Sequence, residues 1–210
     1  MKSANHALSV APVILFLLTI LSPNASSQYG AAGGEWRSYG GDTGNTKYSA
    51  LDRINRDNAG ELRVAWRWKT ENLGPRPDFN FQATPLMVDG VLYTTAGARR
   101  NVAAIDAATG ETLWIYRIVE PRRDGAATRK GSGRGVAYWT DGEQERIIFI
   151  TRGFRLIALD AKTGRTCPDF GNNGVIDLKE GLDRPVFGGI GSTSPPIIAN
   201  DVVVVGSSQP

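Results

Sequence analysis

Cysteine and histidine are almost missing from this 210-residue sequence, which has one of each, Cys167 and His6. A single cysteine cannot form a disulfide within the chain, and it is too few for a thiolate metal cluster. His6 lies in an apolar leader, so the rest of the chain has no histidine that could act as a base or bind a metal. These two shortages exclude a Ser-His-Asp triad and histidine zinc sites.

The net charge is small as well, because 24 basic residues face 21 acidic ones and leave a charge of +3. A balance this even argues against a nucleic-acid surface or a polyanionic partner. The hydrophobic fraction of 41% is that of a globular chain, and the length suffices for one core. The 25 glycines and 11 prolines favour short strands and turns over long helices.

The first 28 residues are predicted to form a signal peptide. Lys2 supplies a positive start, residues 7–21 form an apolar run too short to span a bilayer comfortably, and small residues at 25–27 offer a cleavage site. An uncleaved anchor in the inner membrane is the alternative. Both interpretations export the remaining chain, so we expect it in the periplasm or on the outer side of the inner membrane.

An internal repeat is the most informative pattern in the sequence. The segment AIDAATG at 104–110 recurs as ALDAKTG at 158–164, an offset of 54 residues. Ahead of the first copy, Asp89-Gly90 separates two runs of alternating hydrophobicity, a strong signal for a tight hairpin. A third unit begins at residue 193. Each unit reads as four short strands, which predicts an all-β arc of two to three propeller blades.

Several residues of the repeat invite a structural interpretation. Asp106 and Asp160 recur with the repeat, so we expect them to hold turns rather than to act in catalysis. Trp114 is expected to pack between blades, whereas Pro168 takes its place in the second unit, which should depart from the pattern. Residues 62–68 alternate like a lone strand, which should pair irregularly here.

Longer motifs resemble the eight-bladed propeller family of PQQ-dependent (quinoprotein) dehydrogenases, which oxidise glucose or alcohols. The resemblance extends over nearly all of the mature chain, residues 29–210, and implies that this stretch is the N-terminal part of such a propeller. It rests on WRSYG at 36–40, NTKYS at 45–49, FQATPL at 81–86 and RGVAYW at 134–139.

The resemblance implies four cofactor contacts in this chain. Arg134 matches the family arginine at the quinone, where a guanidinium can donate paired hydrogen bonds and stabilise charge on reduction. Thr151 matches a threonine that bonds a PQQ carboxylate. Gln82 stands where many members have a glutamate, and Ser208 matches a position beside the cofactor. No catalytic residue and no metal ligand is assigned to this chain.

The resemblance also implies the rest of the chemistry. Alcohol-oxidising members often carry two adjacent cysteines where this sequence has Thr128-Arg129, so a sugar or polyol substrate is favoured over a simple alcohol. Electrons are expected to pass to a quinone or a cytochrome. Calcium ligands and the aspartate base are expected beyond residue 210, so the chain is interpreted as an inactive fragment of the enzyme.

Two other functions are compatible with parts of the sequence. A non-enzymatic propeller scaffold of the outer-membrane assembly type shares the repeat, but it has no need of the RGVAYW motif at 134–139. A nucleotide or nucleic-acid binder is suggested by the glycine- and arginine-rich residues 129–135. That segment is neither a P-loop nor a dinucleotide fingerprint, and a strand rather than a helix follows it.

The leader can be tested by fusing residues 1–30 to a reporter that is active only outside the cytoplasm. We expect an active reporter, because the segment combines a positive start, an apolar run and a small-residue cleavage site. A matched fusion carrying Leu17→Arg and Leu18→Arg should be silent, since the apolar run is then interrupted. A stable but silent fusion of the natural leader would count against export.

Overall fold

The computed structural model describes residues 31–70, 73, 80–120, 131–182 and 189–207. In this part of the chain the structure contains ten β-strands and one short 3-10 turn, Ala59–Glu61. The strands form two four-stranded antiparallel sheets and a two-stranded hairpin, which confirms the predicted all-β class. The predicted signal peptide, residues 1–28, lies outside the described residues. Among the residues that are described, no helix is long and apolar enough to cross a membrane.

Blade 1 is a meander in which each strand pairs with the next along the chain. Its strands are β1 (Leu86–Val88), β2 (Val91–Ala96), β3 (Asn101–Asp106) and β4 (Thr112–Tyr116). In the turn between β1 and β2, φ is 47° at Asp89 and 80° at Gly90. Both residues thus take the left-handed conformation that a tight hairpin needs, as the Asp-Gly pair predicts.

Blade 2 has the same strand order, but its outer edge is interrupted. Its strands are β5 (Ala137–Thr140), β6 (Glu145–Ile150), β7 (Arg155–Asp160) and β8 (Val175–Asp177). Beyond the second Thr-Gly turn, Thr166 makes a single bridge to Leu159, and pairing resumes only where β8 meets the start of β7. Pro168 follows that bridge and has no N–H to donate to a strand ladder. The predicted departure of this blade from the repeat is therefore confirmed.

A third blade begins with β9 (Ile197–Ala199) and β10 (Val202–Val204). The two strands form a tight antiparallel hairpin, and its turn has φ of 52° at Asn200. β9 lies beside β5, so the first strands of these successive blades are neighbours. The described residues thus form the predicted arc of two blades and the start of a third.

Strand β6 shows how the blades are held together. Its residues Ile147, Ile148, Phe149 and Ile150 are all buried. Ile147 and Phe149 belong to the core shared with blade 1, whereas Ile148 and Ile150 belong to the core that includes the β9–β10 hairpin. Because successive strand residues point to opposite faces, an unbroken apolar run supplies both cores. Each such side chain stabilises the fold by about 1.5–3 kcal/mol.

The repeated aspartates hold the Thr-Gly turns. Oδ1 of Asp106 accepts hydrogen bonds from the backbone N–H and the hydroxyl of Thr109, at 2.7 and 2.8 Å. Oδ1 of Asp160 accepts the same pair from Thr163, both at 2.7 Å. The bonds from Thr109 lower the pKa of Asp106, because they favour the ionised carboxylate. The expected structural role of these aspartates is therefore confirmed.

Trp114 joins blade 1 to the Thr-Gly turn of blade 2. Its indole N–H donates to the carbonyl of Ala161 at 2.9 Å, and its ring packs against Gly164, where an added Cβ would come within 2.6 Å. The Tyr93 hydroxyl donates to the same carbonyl at 3.3 Å, and burial raises the pKa of Tyr93 to about 12, so it remains a donor. The predicted packing role of Trp114 between blades is confirmed.

The same joint occurs once more, at the beginning of the arc. The indole N–H of Trp66 donates to the carbonyl of Ala107 at 3.1 Å, and an added Cβ on Gly110 would lie 2.6 Å from its ring. Residues 62–70 have no assigned strand, so the strand predicted over residues 62–68 does not form, and the segment is held by the indole N–H groups of Trp66 and Trp68 instead. That segment therefore contacts blade 1 as Trp114 contacts blade 2.

Substitution of Trp114 tests the strength of the joint. We expect Trp114→Ala to lower the free energy of unfolding by about 3 kcal/mol, because a large ring leaves the core between the blades. Trp114→Phe keeps most ring contacts and loses the indole N–H, which should cost about 1 kcal/mol. Urea unfolding of the intact protein measures both losses.

Leu113→Ala is the matched control, because Leu113 lies on the same strand but is 50% exposed. Its effect should be small beside that of Trp114→Ala. If Trp114→Ala were no less stable than Leu113→Ala, the joint would contribute nothing to the arc.

Candidate functional site

Residues 132–135, here called the Arg134 loop, lead into β5 and are fixed on both sides. The carbonyl of Arg134 accepts the N–H of Thr84 at 3.1 Å, and the N–H of Arg134 donates to the carbonyl of Thr193 at 2.9 Å. Thr84 precedes β1 and Thr193 precedes β9. The loop therefore connects the segments that enter the first strands of three successive blades.

Two glycines allow the backbone of the Arg134 loop to pack closely against Thr84 and Arg100. Gly135 has φ of 126°, and a Cβ at that position would lie 2.8 Å from the carbonyl oxygen of Thr84. Gly133 has φ of 75°, and a Cβ there would lie 3.1 Å from Cδ of Arg100. Backbone conformations of this kind strain other residues. The glycines of this loop thus serve its packing against blade 1 rather than a phosphate.

The side chain of Arg134 projects from this fixed backbone into solvent. The residue is exposed, and no described residue forms a hydrogen bond or an ion pair with its guanidinium. A guanidinium presents several N–H donors in one plane, which suits the carboxylate and quinone oxygens of a planar anion. The position and the free donors of Arg134 therefore fit the cofactor that the family resemblance implies.

The other predicted contacts differ in where they lie. Gln82 is exposed and stands two residues before Thr84, on the segment that bonds the Arg134 loop. The structure thus brings Gln82 and Arg134 to the same end of the first strands. Ser208 lies outside the described residues, so its assignment stays a prediction.

Thr151 belongs to a different polar cluster, at the end of β6. It is completely buried, and its hydroxyl donates to Oε1 of Glu120 at 2.6 Å while accepting the N–H of Arg155 at 3.2 Å. Arg155 also forms an ion pair with Glu120 at 2.9 Å. A cofactor carboxylate would have to compete with Glu120 for the Thr151 proton. The role of Thr151 at the cofactor remains a prediction.

Arg100 is a further residue of this region, and it was not predicted from the sequence. It is 4% exposed, and its Nη1 donates to the carbonyls of Ile150, at 3.4 Å, and Ser192, at 2.5 Å. Its buried Nε has no partner among the described residues. Burial and the neighbouring charge of Arg152 lower the pKa of Arg100 to about 10, so it is still charged at neutral pH. A buried charge thus lies directly beneath the Arg134 loop.

No pattern in the sequence marks Arg100, because it follows Arg99 in a polar turn and looks like a surface residue. Thr193 was predicted only as the start of the third unit, and not as a neighbour of the Arg134 loop. It stands shortly before a proline that precedes β9, just as Thr84 stands before a proline that precedes β1. Thr193 and Thr84 thus hold similar positions before β9 and β1, and both bond the backbone of Arg134.

Metal ligands are not grouped in this part of the protein. Among the described residues, no three or more histidine, cysteine, aspartate or glutamate side chains lie close enough to hold a metal ion.

Comparison with known proteins gives this geometry a context. The chain is 36% identical over 185 residues to the glycerol dehydrogenase large subunit of Gluconobacter oxydans. This alignment covers 83% of this chain and 24% of that protein. It is 40% identical over 145 residues to the dehydrogenase subunit of a quinone alcohol dehydrogenase from the same species, covering 67% of this chain and 17% of that subunit.

A solved structure agrees with these sequence matches. The quinohemoprotein alcohol dehydrogenase of Pseudomonas putida superimposes with a TM-score of 0.64 at 33% identity, covering 84% of this chain and 23% of that chain. The chain thus spans about a quarter or less of the length of these relatives. Residues 36–210 match the family model described as the glucose/ethanol/alcohol dehydrogenase β-propeller domain. The chain belongs to this family of PQQ-dependent dehydrogenase propellers.

Proposed function

We propose that this chain contributes the first blades of a PQQ-dependent dehydrogenase that oxidises CH–OH groups. One observation carries the proposal beyond family membership. The guanidinium of Arg134 is exposed and has no partner among the described residues. The backbone of Arg134 is nevertheless fixed, because it is hydrogen-bonded to Thr84, before β1, and to Thr193, before β9. A scaffold that binds only other proteins does not need a fixed arginine at this point.

The chemistry divides between the cofactor and the protein. When bound, PQQ supplies an ortho-quinone that takes up two electrons from the substrate. Arg134 would hold the quinone through charge-assisted hydrogen bonds and stabilise the negative charge that develops on its oxygens. Because the backbone bonds to Thr84 and Thr193 fix the loop in advance, little reorganisation is needed when this charge appears. Gln82 offers a neutral amide on the same side, where it can donate or accept.

A polyol or sugar is the proposed substrate class. In support, the relative named as a glycerol dehydrogenase is 36% identical over 83% of this chain. Thr128-Arg129 stand where alcohol-oxidising members often have a cysteine pair, although these two residues lie outside the described part of the chain. A quinone or a cytochrome is the proposed electron acceptor, since the alcohol dehydrogenase relative has quinone in its name.

Export and calcium complete the proposal. The leader supports a location in the periplasm or on the outer side of the inner membrane, where an exported dehydrogenase can reach a quinone or cytochrome acceptor. Calcium is proposed for the enzyme on the family resemblance alone, and the described residues contribute no cluster of ligands to it.

The central test is the substitution of Arg134 in the intact enzyme. We expect Arg134→Ala to weaken PQQ binding ten- to a hundredfold, because the loss of one charge-assisted contact costs about 1.5–3 kcal/mol. Arg134→Lys should recover only part of the affinity, since an ammonium cannot present the same planar fork. Titration of the apo-enzyme with PQQ gives the affinity, and dye-linked turnover gives the activity.

Arg165→Ala is the control for a general loss of positive charge, because Arg165 is exposed on the Thr-Gly turn of blade 2. It should bind PQQ as the unmodified enzyme does. Unchanged affinity and turnover in Arg134→Ala would show that Arg134 is an ordinary surface residue. An intact protein that binds no PQQ at all would instead favour the non-enzymatic scaffold.

A further inference from the structure

Arg100 lies between the two segments that hold the Arg134 loop. Its aliphatic stem packs against Gly133, where an added Cβ would lie 3.1 Å from Cδ and 3.2 Å from Nε. On its other side, Nη1 donates to the carbonyl of Ser192, next to the Thr193 carbonyl that binds the N–H of Arg134. Arg100 therefore contacts the segments on both sides of that backbone bond.

The burial of Arg100 is unfavourable in free energy, because the charged group loses hydration. A charged group that is only 4% exposed loses most of its hydration, and no described carboxylate forms an ion pair with Arg100. Its neighbour Arg152 adds repulsion, while Glu120 is paired with Arg155. The backbone of Arg100 is strained as well, with φ of 60°. Three unfavourable features thus coincide at one residue under the candidate site.

We propose that Arg100 is a positioning residue that holds the Arg134 loop against the entry to blade 3 and so presents Arg134 to the cofactor. The proposal rests on the proposed function of Arg134. Nη1 satisfies the carbonyls of Ile150 and Ser192 together, which fixes the end of β6 to the segment before β9. Without this donor, two acceptors beneath the loop lose their partner, and the Thr193 carbonyl is no longer held in place.

Arg100→Met in the intact enzyme is the direct test. Methionine keeps the apolar contact with Gly133 but donates to neither carbonyl. We expect PQQ to bind about tenfold more weakly, the change that one lost hydrogen bond to a charged group produces. In the apo-enzyme, hydrogen exchange at the Arg134 amide should accelerate about tenfold as well, because its bond to Thr193 opens more often.

A double-mutant cycle separates positioning from general damage. If Arg100 acts through Arg134, the double variant Arg100→Met/Arg134→Ala should bind PQQ no more weakly than Arg134→Ala alone. Arg146→Met is the matched control. Arg146 is also mostly buried and forms an ion pair with Asp169, with its guanidinium over the ring of Trp139, so its loss should lower stability and leave PQQ affinity unchanged.

Arg100→Asn covers the case in which the methionine variant fails to fold, since asparagine tolerates a φ of 60° better than methionine does. Unchanged PQQ affinity and amide exchange in the folded Arg100 variant would overturn the proposal, and so would losses that simply add to those of Arg134→Ala. The proposed function fails separately, if Arg134→Ala itself binds PQQ normally.

Discussion

Blade 2 has two apolar faces, and a neighbouring blade covers each of them. The alternation along β6, with Ile147 and Phe149 on one side and Ile148 and Ile150 on the other, makes blade 2 the centre of two cores. The indole joints of Trp66 and Trp114 repeat this dependence at the outer turns, where each ring packs on a glycine that must lack a side chain. Burial between blades is therefore the interaction on which the arc depends.

The candidate site follows from this packing. Because successive blades lie side by side, the segments entering β1, β5 and β9 come together at one end of their first strands. The Arg134 loop bonds its neighbours through Thr84 and Thr193, and Arg100 fills the space beneath it. Arg134 itself contributes little to the core, which leaves its guanidinium free for a ligand. The packing of the blades thus fixes the backbone of the Arg134 loop and leaves the Arg134 side chain exposed.

The sequence predicted features that depend on local chemistry. The Asp-Gly hairpin, the aspartate-held Thr-Gly turns, the inter-blade tryptophan and the broken edge after Pro168 all arise within a short segment or repeat with the blade. It did not predict contacts that depend on how distant segments meet. The burial of Arg100 depends on Gly133 and Ser192, and the bond from Thr151 to Glu120 links two separate segments. Neither contact produces a periodic pattern in the sequence.

The function proposed for this protein depends above all on Arg134 holding the cofactor. The structure of the intact enzyme crystallised with PQQ tests this most directly. We predict PQQ at the end of the first strands, with an oxygen within hydrogen-bond distance of the Arg134 guanidinium and the loop bonds to Thr84 and Thr193 intact. PQQ bound elsewhere, or bound there without contact to Arg134, would contradict it.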